Sequence, residues 1–441
     1  MSSLPRLAIG TVQSQADSQV MTWALMNFFR RHGRQVQHFH SRACFAPLDG
    51  ATPAAGLGSR HLDSWLMSCD VSREIFARAA AKSDLAVVEG SFVPCPSSEG
   101  GSLDRLCQWL ELPRVAVVDA SQLGDCRIPS RPGADAILLD GVSDAAEFFR
   151  LQTILEPLWR LPVIGGLERL PHLRSAIDRL PRGGAPSEEL CQELGSRFAR
   201  FASVNRIQAL ANCRTFPDVH PQLFREGVGA SYVRVAVAFD DAFHCYFADT
   251  LDLLEMRGAE LVDFSPLRDE SLPEGADIIY LGCGRPELFA RELAQNHCMK
   301  LALHKHLCEG RRVYAEGGGL AYLCEDILTP EGRRLEMMGA LPAVAVMNPR
   351  PCRATPVEMT LASGNWLGRA GSRLRGYVNS SWSLQPQDHL ALYVAERGRE
   401  QDLVGQRGAV GSRVHLNFAA QPDVLRSFFK PHMEVLDGHA F

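Results

Sequence analysis

A polar loop near the start of the chain has the residue order of a phosphate-binding loop but lacks its positive charge. Such loops follow a buried strand, expose backbone N–H groups through glycines, and end in Lys-Ser or Lys-Thr, whose hydroxyl ligates magnesium. Here the apolar run Arg6–Gly10 is followed by Thr11 and polar residues, and a helical pattern begins at about Ser18. No glycine follows Gly10 within the loop, and Asp17 stands where the lysine is expected.

The charge at Asp17 decides between two interpretations of this loop. Two unit charges roughly 4 Å apart interact with about 4 kcal/mol at an effective dielectric of about 20, so aspartate in place of lysine turns attraction into repulsion. The sequence therefore favours a polar turn in which Asp17 or Ser18 caps the next helix. A working phosphate loop is the alternative.

Glu89 is a second residue that could take part in nucleotide chemistry. It follows the apolar run Leu85–Val88 and precedes Gly90. An acid at the end of a buried strand can hold magnesium or a magnesium-bound water, and it can equally be a charge that faces solvent. The residues alone leave both interpretations open.

The elements that must position these residues alternate between strand and helix. Short buried apolar runs predict strands, and longer stretches with helical spacing between them predict a parallel sheet covered on both faces. Gly33 is predicted to end the first helix, after a basic last turn. The predicted strands are Arg6–Gly10, Val36–Phe39, Leu85–Val88, Val115–Val118, Ala136–Leu139 and Val163–Ile164, and the predicted helices are 18–32, Ser72–Lys82, Leu103–Leu112, Ala145–Leu158 and Glu188–Leu210.

A second α/β pattern starts after a stretch rich in helix and strand breakers, Asn212–Ser231. We place the domain boundary near residue 225, which gives domains 1–225 and 226–441. Shorter strands and turns dominate after about residue 337. The predicted strands are Val233–Phe239, Glu260–Phe264, Ile278–Leu281, Val357–Leu361, Ser372–Val378, Leu390–Val394 and Val414–Phe418, and the predicted helices are Phe243–Met256, Glu287–Ala294 and Asp423–Phe429.

Composition narrows the class of protein. The chain has 441 residues, a net charge of −5 and 46% hydrophobic residues, which is typical of a globular protein of about two domains. This charge favours neither nucleic acid nor an anionic membrane as a partner, and no apolar run approaches the roughly 20 residues of a membrane span. The thirteen cysteines include no CxxC pair. We therefore expect reduced thiols in a cytoplasmic protein.

Many ordered segments in both halves carry a resemblance to one known family. In the N-terminal half these are Gly10-Thr11, His61–Met67, Asp84–Gly90 and Val115–Ala120, and in the C-terminal half they are Arg234–Ala238, Asp277–Leu288, Val313–Leu323 and Ser412–Phe418. Over nearly the whole chain, they resemble cobyrinic acid a,c-diamide synthase and its relatives, a family of glutamine-dependent amidotransferases.

The resemblance implies a fold and a reaction for each half. The N-terminal domain would be a dethiobiotin-synthetase-like parallel-sheet domain of the P-loop class, which uses ATP and Mg²⁺ to phosphorylate a carboxylate of a corrin or related tetrapyrrole. Gly10, Thr11, Ser18 and Glu89 would lie at the nucleotide and its metal, and Asp63 and Trp65 on the substrate side. The C-terminal α/β domain would be a class I glutaminase that delivers ammonia. Homodimers are common in the family.

The sequence departs from the family at the glutaminase nucleophile. The family's Glu-Cys-Gly-Gly turn reads Glu316-Gly317-Gly318-Gly319 here, and glycine has no side chain with which to form an acyl-enzyme. His415 occupies the general-base position, and the family's next histidine is replaced by Asn417. Backbone N–H groups for an oxyanion could survive at Gly282, Cys283, Gly284 and Gly318. Cys283 and Cys324 are the nearest other thiols, and we favour buried or idle roles for them.

Further departures affect the N-terminal domain. Asp17 replaces the phosphate-loop lysine, and Arg42-Ala43-Cys44-Phe45 lacks the carboxylate of the family's Gly-Pro-Asp-Tyr segment. Because phosphate loop, substrate-side acid and nucleophile are all altered, we expect a non-catalytic or repurposed homologue that binds a tetrapyrrole, another ligand or a protein partner. The retained Glu89, Asp63 and Trp65 support an alternative, ATP-dependent amidation of a corrinoid carboxylate with ammonia or glutamine.

Overall fold

The chain divides into two compact units, Met1–Gln222 and Leu223–Phe441. The computed structural model describes residues 4–13, 18–42, 51–93, 100–123, 130–180, 185–224, 232–348, 354–378, 381–386, 393–397 and 400–429. Asp17, Ala43–Phe45 and residues 390–392 lie outside the described residues. Among the helices of the described residues, none is long and apolar enough to cross a membrane.

The first unit is built on a seven-stranded sheet. Its strands are β1 (Arg6–Thr11), β2 (Val36–His40), β3 (Arg60–His61), β4 (Leu85–Ser91), β5 (Arg114–Asp119), β6 (Ala136–Val142) and β7 (Val163–Glu168). They lie in the order β3-β2-β4-β1-β5-β6-β7, and every pair is parallel. The chain crosses from one side of β1 to the other between β4 and β5. The carboxyl ends of β1 and β4 therefore lie at the topological switch point, where open α/β sheets bind ligands.

Helices cover both faces of this sheet, as the alternation of strand and helix signals predicts. The helices are α1 (Gln19–Arg31), α2 (Ala51–Ala55), α3 (Cys69–Ala80), α4 (Leu103–Leu110), α5 (Ala145–Trp159), α6 (Pro171–Asp178), α7 (Glu188–Ala199) and α8 (Val204–Ala211). Leu7 and Ile9 share one core with α1 and α7, whereas Val118 and Leu139 face a second core with α5. Side-chain oxygens cap α3, α4, α5 and α7, and they belong to Ser68, Ser102, Asp144 and Ser187.

Two sequence predictions about these helices are wrong in detail. Glu188–Leu210 is not one helix, because the backbone leaves α7 after Ala199 and α8 starts at Val204. Ser18 stands at the N-terminus of α1 but makes no capping hydrogen bond, since its hydroxyl is bonded elsewhere. The stop at Gly33 is confirmed, with a left-handed φ of 72° that glycine adopts without strain.

Close packing between α1 and α7 requires a glycine, and this gives a stability prediction. A Cβ at Gly195 would lie 2.4 Å from the Asn27 side-chain oxygen and 3.0 Å from the Phe28 backbone nitrogen. Gly195→Ala should therefore force the helices apart and destabilise the protein by about 1–3 kcal/mol in urea unfolding. Gly58→Ala is the matched control, because nothing lies within 4 Å of its Cβ position. Equal stability of the two variants would contradict the prediction.

The second unit contains a ten-stranded sheet with a parallel and an antiparallel part. Its order is β10-β8-β11-β13-β22-β21-β20-β17-β18-β23, of which the first five are parallel. These ten are β8 (Val233–Ala238), β10 (Ala259–Phe264), β11 (Ile278–Leu281), β13 (Arg312–Glu316), β17 (Thr355–Leu361), β18 (Arg373–Val378), β20 (Tyr393–Arg397), β21 (Glu400–Gln406), β22 (Ala409–Ser412) and β23 (Val414–Leu416).

Smaller sheets and five helices complete the second unit as far as the structure describes it. The short strands β9 (Phe243–Cys245) and β12 (Cys283–Gly284) pair with each other. A four-stranded sheet contains β14 (Cys324–Leu328), β15 (Arg334–Glu336), β16 (Leu341–Met347) and β19 (Trp382–Pro386), and the helices are α9 (Ala248–Met256), α10 (Ala290–Gln295), α11 (His297–Cys308), α12 (Gly318–Leu323) and α13 (Pro422–Phe428).

One error of the sequence analysis in this unit bears on the site. The helix predicted for Phe243–Met256 begins only at Ala248, and its first three residues form β9. Phe243 and Cys245 are buried and His244 between them is half-buried, which is the alternation of a strand. Pairing with β12, which is distant in sequence, decides the conformation of this segment.

Candidate functional site

The residues of the predicted nucleotide site meet at the carboxyl ends of β1 and β4. Gly10 and Thr11 end β1, and they pair with Gly90 and Ser91 of β4. The Thr11 hydroxyl donates to Ser91 Oγ at 3.1 Å. A Cβ on Gly10 would lie 2.9 Å from side-chain atoms of both Phe92 and Leu103. Close packing therefore explains why a glycine stands at position 10.

Glu89 faces other side chains of the first unit. The Ser18 hydroxyl donates to its Oε1 at 3.1 Å, and Nε2 of His38 lies 3.1 Å from its Oε2. One ring nitrogen each of His38 and His40 and one Glu89 carboxylate oxygen lie within 4.8 Å of one another. Of the two interpretations of Glu89, the solvent-facing charge is therefore wrong. His38 and His40, the imidazole neighbours of Glu89, could have been found from their His-x-His spacing on β2, because residues two apart share one face of a strand.

No lysine of the first unit lies where it could bind phosphates at the carboxyl ends of β1 and β4. Lys82 is the only lysine among residues 1–222, and it precedes β4 at the opposite end of the strand from Glu89. Leu85 and Glu89 alone are separated by about 13 Å along an extended strand. The residues of this site offer a hydroxyl and a carboxylate for a magnesium ion, but they lack the lysine with which a phosphate loop holds a nucleoside triphosphate.

Asp63 and Trp65, predicted on the substrate side, belong to a tight turn after β3. Asp63 is 1% exposed, and its Oδ1 accepts hydrogen bonds from the N–H groups of Trp65 at 2.8 Å and Leu66 at 3.1 Å. A Cβ on Gly101 would lie 2.8 Å from the Asp63 carboxyl group. The carboxylate of Asp63 therefore stabilises the turn in which Asp63 itself lies.

The second site surrounds the turn between β13 and α12. Gly317 has φ 52° and ψ −107°, a conformation strained for any residue with a side chain, and its N–H donates to Ser412 O at 2.8 Å. A Cβ on Gly317 would lie 2.8 Å from Sγ of Cys283. The strained turn is thus retained, and a thiol from another segment lies where its side chain would be.

The predicted oxyanion residues gather beside Gly317. Cys283 and Gly284 form β12, and a Cβ on Gly318 would lie 3.2 Å from Gly284 O. The N–H of Gly282 donates to the Tyr246 hydroxyl at 3.0 Å, so this donor already has a partner within the protein. Cys324, the other thiol considered, follows α12 as the first residue of β14 and donates to Leu320 O at 3.3 Å.

His415 lies in this site and is held by a carboxylate. Its Nδ1 is hydrogen-bonded to Oε2 of Glu316, and Phe247 stacks on its ring at a centroid distance of 4.1 Å. Glu316 also accepts from the hydroxyls of Tyr314 at 2.5 Å and Tyr280 at 3.3 Å. The imidazole therefore has a fixed orientation.

Cys245 completes the cluster and was missed from the sequence. Its thiol is hydrogen-bonded to Cys283 and to His415. The hydrogen bond to Cys283 lowers the pKa of Cys245, burial opposes this, and the hydrogen bond to His415 lowers it further. Burial by itself would lower the pKa of His415, but the charge of Glu316 and the contact with Cys245 outweigh it and raise that pKa. Contact between the two groups therefore lowers the pKa of the thiol and raises the pKa of the imidazole.

Glu316 was also missed as a site residue. It is the last residue of β13, an acid at the end of a buried strand, which is the signal that singled out Glu89. Cys245 had a weaker sequence signal, because apolar Phe243 and Cys245 alternate with polar His244, as in a half-buried strand.

Comparison with known proteins identifies the family of the chain. The model of the CobB/CobQ-like glutamine amidotransferase domain matches residues 234–422. The cobyrinate a,c-diamide synthase of Syntrophotalea carbinolica is 30% identical, over 97% of this chain and 98% of that protein. The chain belongs to the cobyrinate a,c-diamide synthase family. Proteins of the same name from Dehalococcoides mccartyi and Leptospira interrogans are 29% and 27% identical, over 97% and 96% of this chain and 98% of each relative.

Membership of the cobyrinate a,c-diamide synthase family confirms the resemblance drawn from the sequence. The fold class is confirmed as well, with a parallel-sheet α/β unit followed by a glutamine amidotransferase-like α/β unit. The family is ATP-dependent, which implies ATP and Mg²⁺ by resemblance.

Proposed function

We propose that this member of the cobyrinate a,c-diamide synthase family has lost glutamine hydrolysis and binds a corrin-type tetrapyrrole in a non-catalytic or regulatory role. The observation that carries the proposal is at Gly317. The strained turn that would present the nucleophile has no side chain, and Sγ of Cys283 lies 2.8 Å from its Cβ position. A nucleophile restored at 317 alone would collide with this thiol.

Burial of the second site supports the loss of glutaminase activity. Cys245 and Cys283 are each 3% exposed, and His415 is 1% exposed. A glutaminase nucleophile must reach the amide carbon of a free amino acid, with oxyanion donors that face the same carbon. Here the thiols face each other and the imidazole, and Gly282 donates inward to Tyr246.

The charge of the first site supports the loss of the ATP-dependent step. Phosphoryl transfer in P-loop proteins depends on a lysine that holds the phosphate oxygens, and Lys82, the single lysine of residues 1–222, lies at the opposite end of β4 from Glu89. The relatives that match along the whole chain are named cobyrinate a,c-diamide synthases, so a corrin-type ligand is the chemistry that the retained fold supports.

Titration with a corrinoid tests the proposal. Full-length protein added to cobyrinic acid should shift the visible absorption of the corrinoid with saturable binding, and added glutamine, ATP and Mg²⁺ should give no amidated product by mass spectrometry. Bovine serum albumin at the same concentration is the control for non-specific binding. Absence of a saturable shift, or formation of the diamide, would overturn the proposal.

One observation supports a second function, ATP-dependent amidation with free ammonia. The Ser18 hydroxyl lies 3.1 Å from Glu89 Oε1 at the switch point of the sheet. A hydroxyl at the start of a helix and an acid at the end of a strand are the pair that holds magnesium in many nucleotide sites.

Binding of ATP separates the two functions. With Mg²⁺ present, we expect ATP to bind full-length protein with a Kd above about 1 mM by calorimetry, because the first unit has no lysine at this end of β4 to attract the phosphates. Glu89→Gln should leave this weak binding unchanged. A sub-millimolar Kd that requires Mg²⁺ and is lost in Glu89→Gln would support the ammonia-dependent ligase instead.

A further inference from the structure

Two cysteines from distant parts of the second unit converge beside His415. Cys245 of β9 and Cys283 of β12 are directly opposite each other in an antiparallel pair. Their thiols are in hydrogen-bonding contact, and Cys245 also contacts His415. Two sulfur atoms and one imidazole nitrogen therefore lie together in the interior.

His415 has one ring nitrogen that Glu316 does not use. Glu316 is bonded to Nδ1, and the Cys245 thiol also contacts the imidazole. One ligand atom each of Cys283, Glu316 and His415 lies within 4.8 Å of the other two. An imidazole that coordinates a metal through one nitrogen and donates from the other to a carboxylate is the usual arrangement at zinc sites.

Gly317 provides the room for this cluster. Any side chain at 317 would start 2.8 Å from Sγ of Cys283 and would push it away from His415. The glycine therefore has a positive role here, because it lets the thiol of β12 reach the imidazole. The cluster is sealed by Phe247, which stacks on His415, and all of its members are at most 3% exposed.

We propose that Cys245, Cys283 and His415 bind one zinc-type divalent ion, with the Glu316 carboxylate hydrogen-bonded behind the imidazole. Two thiolates and an imidazole are soft and borderline ligands that select Zn²⁺ over Mg²⁺ or Ca²⁺. Each thiol releases its proton when the ion binds. The ion would join β9, β12 and β23, three segments separated by up to 170 residues, and so would fix the turn that the family otherwise uses for catalysis.

Metal analysis of full-length protein is the first test. Protein purified without chelator, from medium that contains zinc, should carry about one zinc per chain by plasma mass spectrometry. Cys245→Ser, Cys283→Ser and His415→Gln should each lower the bound zinc at least tenfold after dialysis. Cys324→Ser is the matched control, because this buried thiol of the same unit bonds only to Leu320 O among the contacts described, and it should keep its zinc.

Cobalt spectroscopy reports thiolate ligation directly, first in the wild-type protein. Co²⁺ added to metal-free protein should produce thiolate-to-cobalt charge-transfer absorption that saturates at one equivalent. Replacement of the exposed Cys213, Cys298 and Cys308 by serine removes competing surface thiols and should leave the band intact. The band should disappear when Cys283→Ser is added, with circular dichroism unchanged.

Three results would overturn the proposal. The first is wild-type protein with neither zinc nor a cobalt band. The second is a band or a zinc content that survives Cys283→Ser. The third is a disulfide between Cys245 and Cys283 in unreduced peptides, which would make the pair a redox couple. None of these outcomes bears on corrinoid binding, which is measured separately.

Discussion

Full-length protein is expected to hydrolyse glutamine no faster than the uncatalysed background. Glutamate release, measured by a coupled dehydrogenase assay, should be the same with and without enzyme, whether or not ATP and a corrinoid are present. The reason is the missing thiol at Gly317, since removal of the nucleophile of a catalytic triad costs about a million-fold in turnover. His415 is present with its carboxylate, but a base without a nucleophile at the strained turn cannot form an acyl-enzyme.

Variants at the strained turn sharpen this prediction. Gly317→Cys alone should stay inactive, because its Cβ would lie 2.8 Å from Cys283 Sγ. The double variant Gly317→Cys with Cys283→Gly restores the family's cysteine at 317 and removes the thiol that would collide with it, and we expect it to gain measurable hydrolysis. Wild-type hydrolysis that is abolished by Cys283→Ala would instead show that Cys283 has become the nucleophile, and our proposal of a lost glutaminase would be wrong.

The sequence predicted the sheet of the first unit because its strands are continuous apolar runs between polar turns. Burial on both faces of a parallel strand requires such runs, so Leu85–Val88 and Val115–Val118 could be placed without knowledge of their neighbours. The same logic located Glu89 at a strand end, where the structure has it, whereas Gly317 was located through the family resemblance. These strands could be predicted because an apolar run is a property of the segment itself and does not depend on distant residues.

The contents of the second site could not be predicted in the same way. The segment Phe243–Met256 has apolar residues at helical spacing, and only its pairing with Cys283–Gly284, some forty residues away, makes its start a strand. Cys245 was therefore placed on a helix, away from His415. The hydrogen bonds of Ser18 and Asp63 were equally hidden, because a side chain near a turn can bond to its own backbone or to a distant partner.

Glu316→Ala is expected to be among the most destabilising single substitutions in the second unit. The side chain of Glu316 is fully buried, and it accepts hydrogen bonds from both Tyr280 and Tyr314, from the Leu416 N–H at 3.1 Å and from His415. Tyr280 and Tyr314 are neighbours in the register of β11 and β13, so one carboxylate ties two strands of the sheet to β23.

The size of the expected loss of stability follows from the hydrogen-bond partners that Glu316→Ala would leave without an acceptor. Alanine would leave two hydroxyls, one backbone N–H and the His415 imidazole without their common acceptor in the buried interior, and removal of one member of a buried ion pair costs about 3–5 kcal/mol. Amide hydrogen exchange of peptides from β13 in the full-length protein should report this loss in the free energy of opening, and urea unfolding should show an earlier transition.

Two further variants test whether the hydrogen-bond network causes this loss. Glu316→Gln keeps the shape and some acceptor capacity but loses the charge that faces His415, so we expect an intermediate loss. Glu358→Ala is the matched surface control, because its contacts with Arg375 and Arg373 are exposed to solvent, and such pairs contribute about 0–1 kcal/mol. If Glu316→Ala were no more destabilising than Glu358→Ala, the carboxylate would not be the centre of this core. The strained turn beside it would then owe its order to the packing of Tyr280, Tyr314 and Phe247 alone.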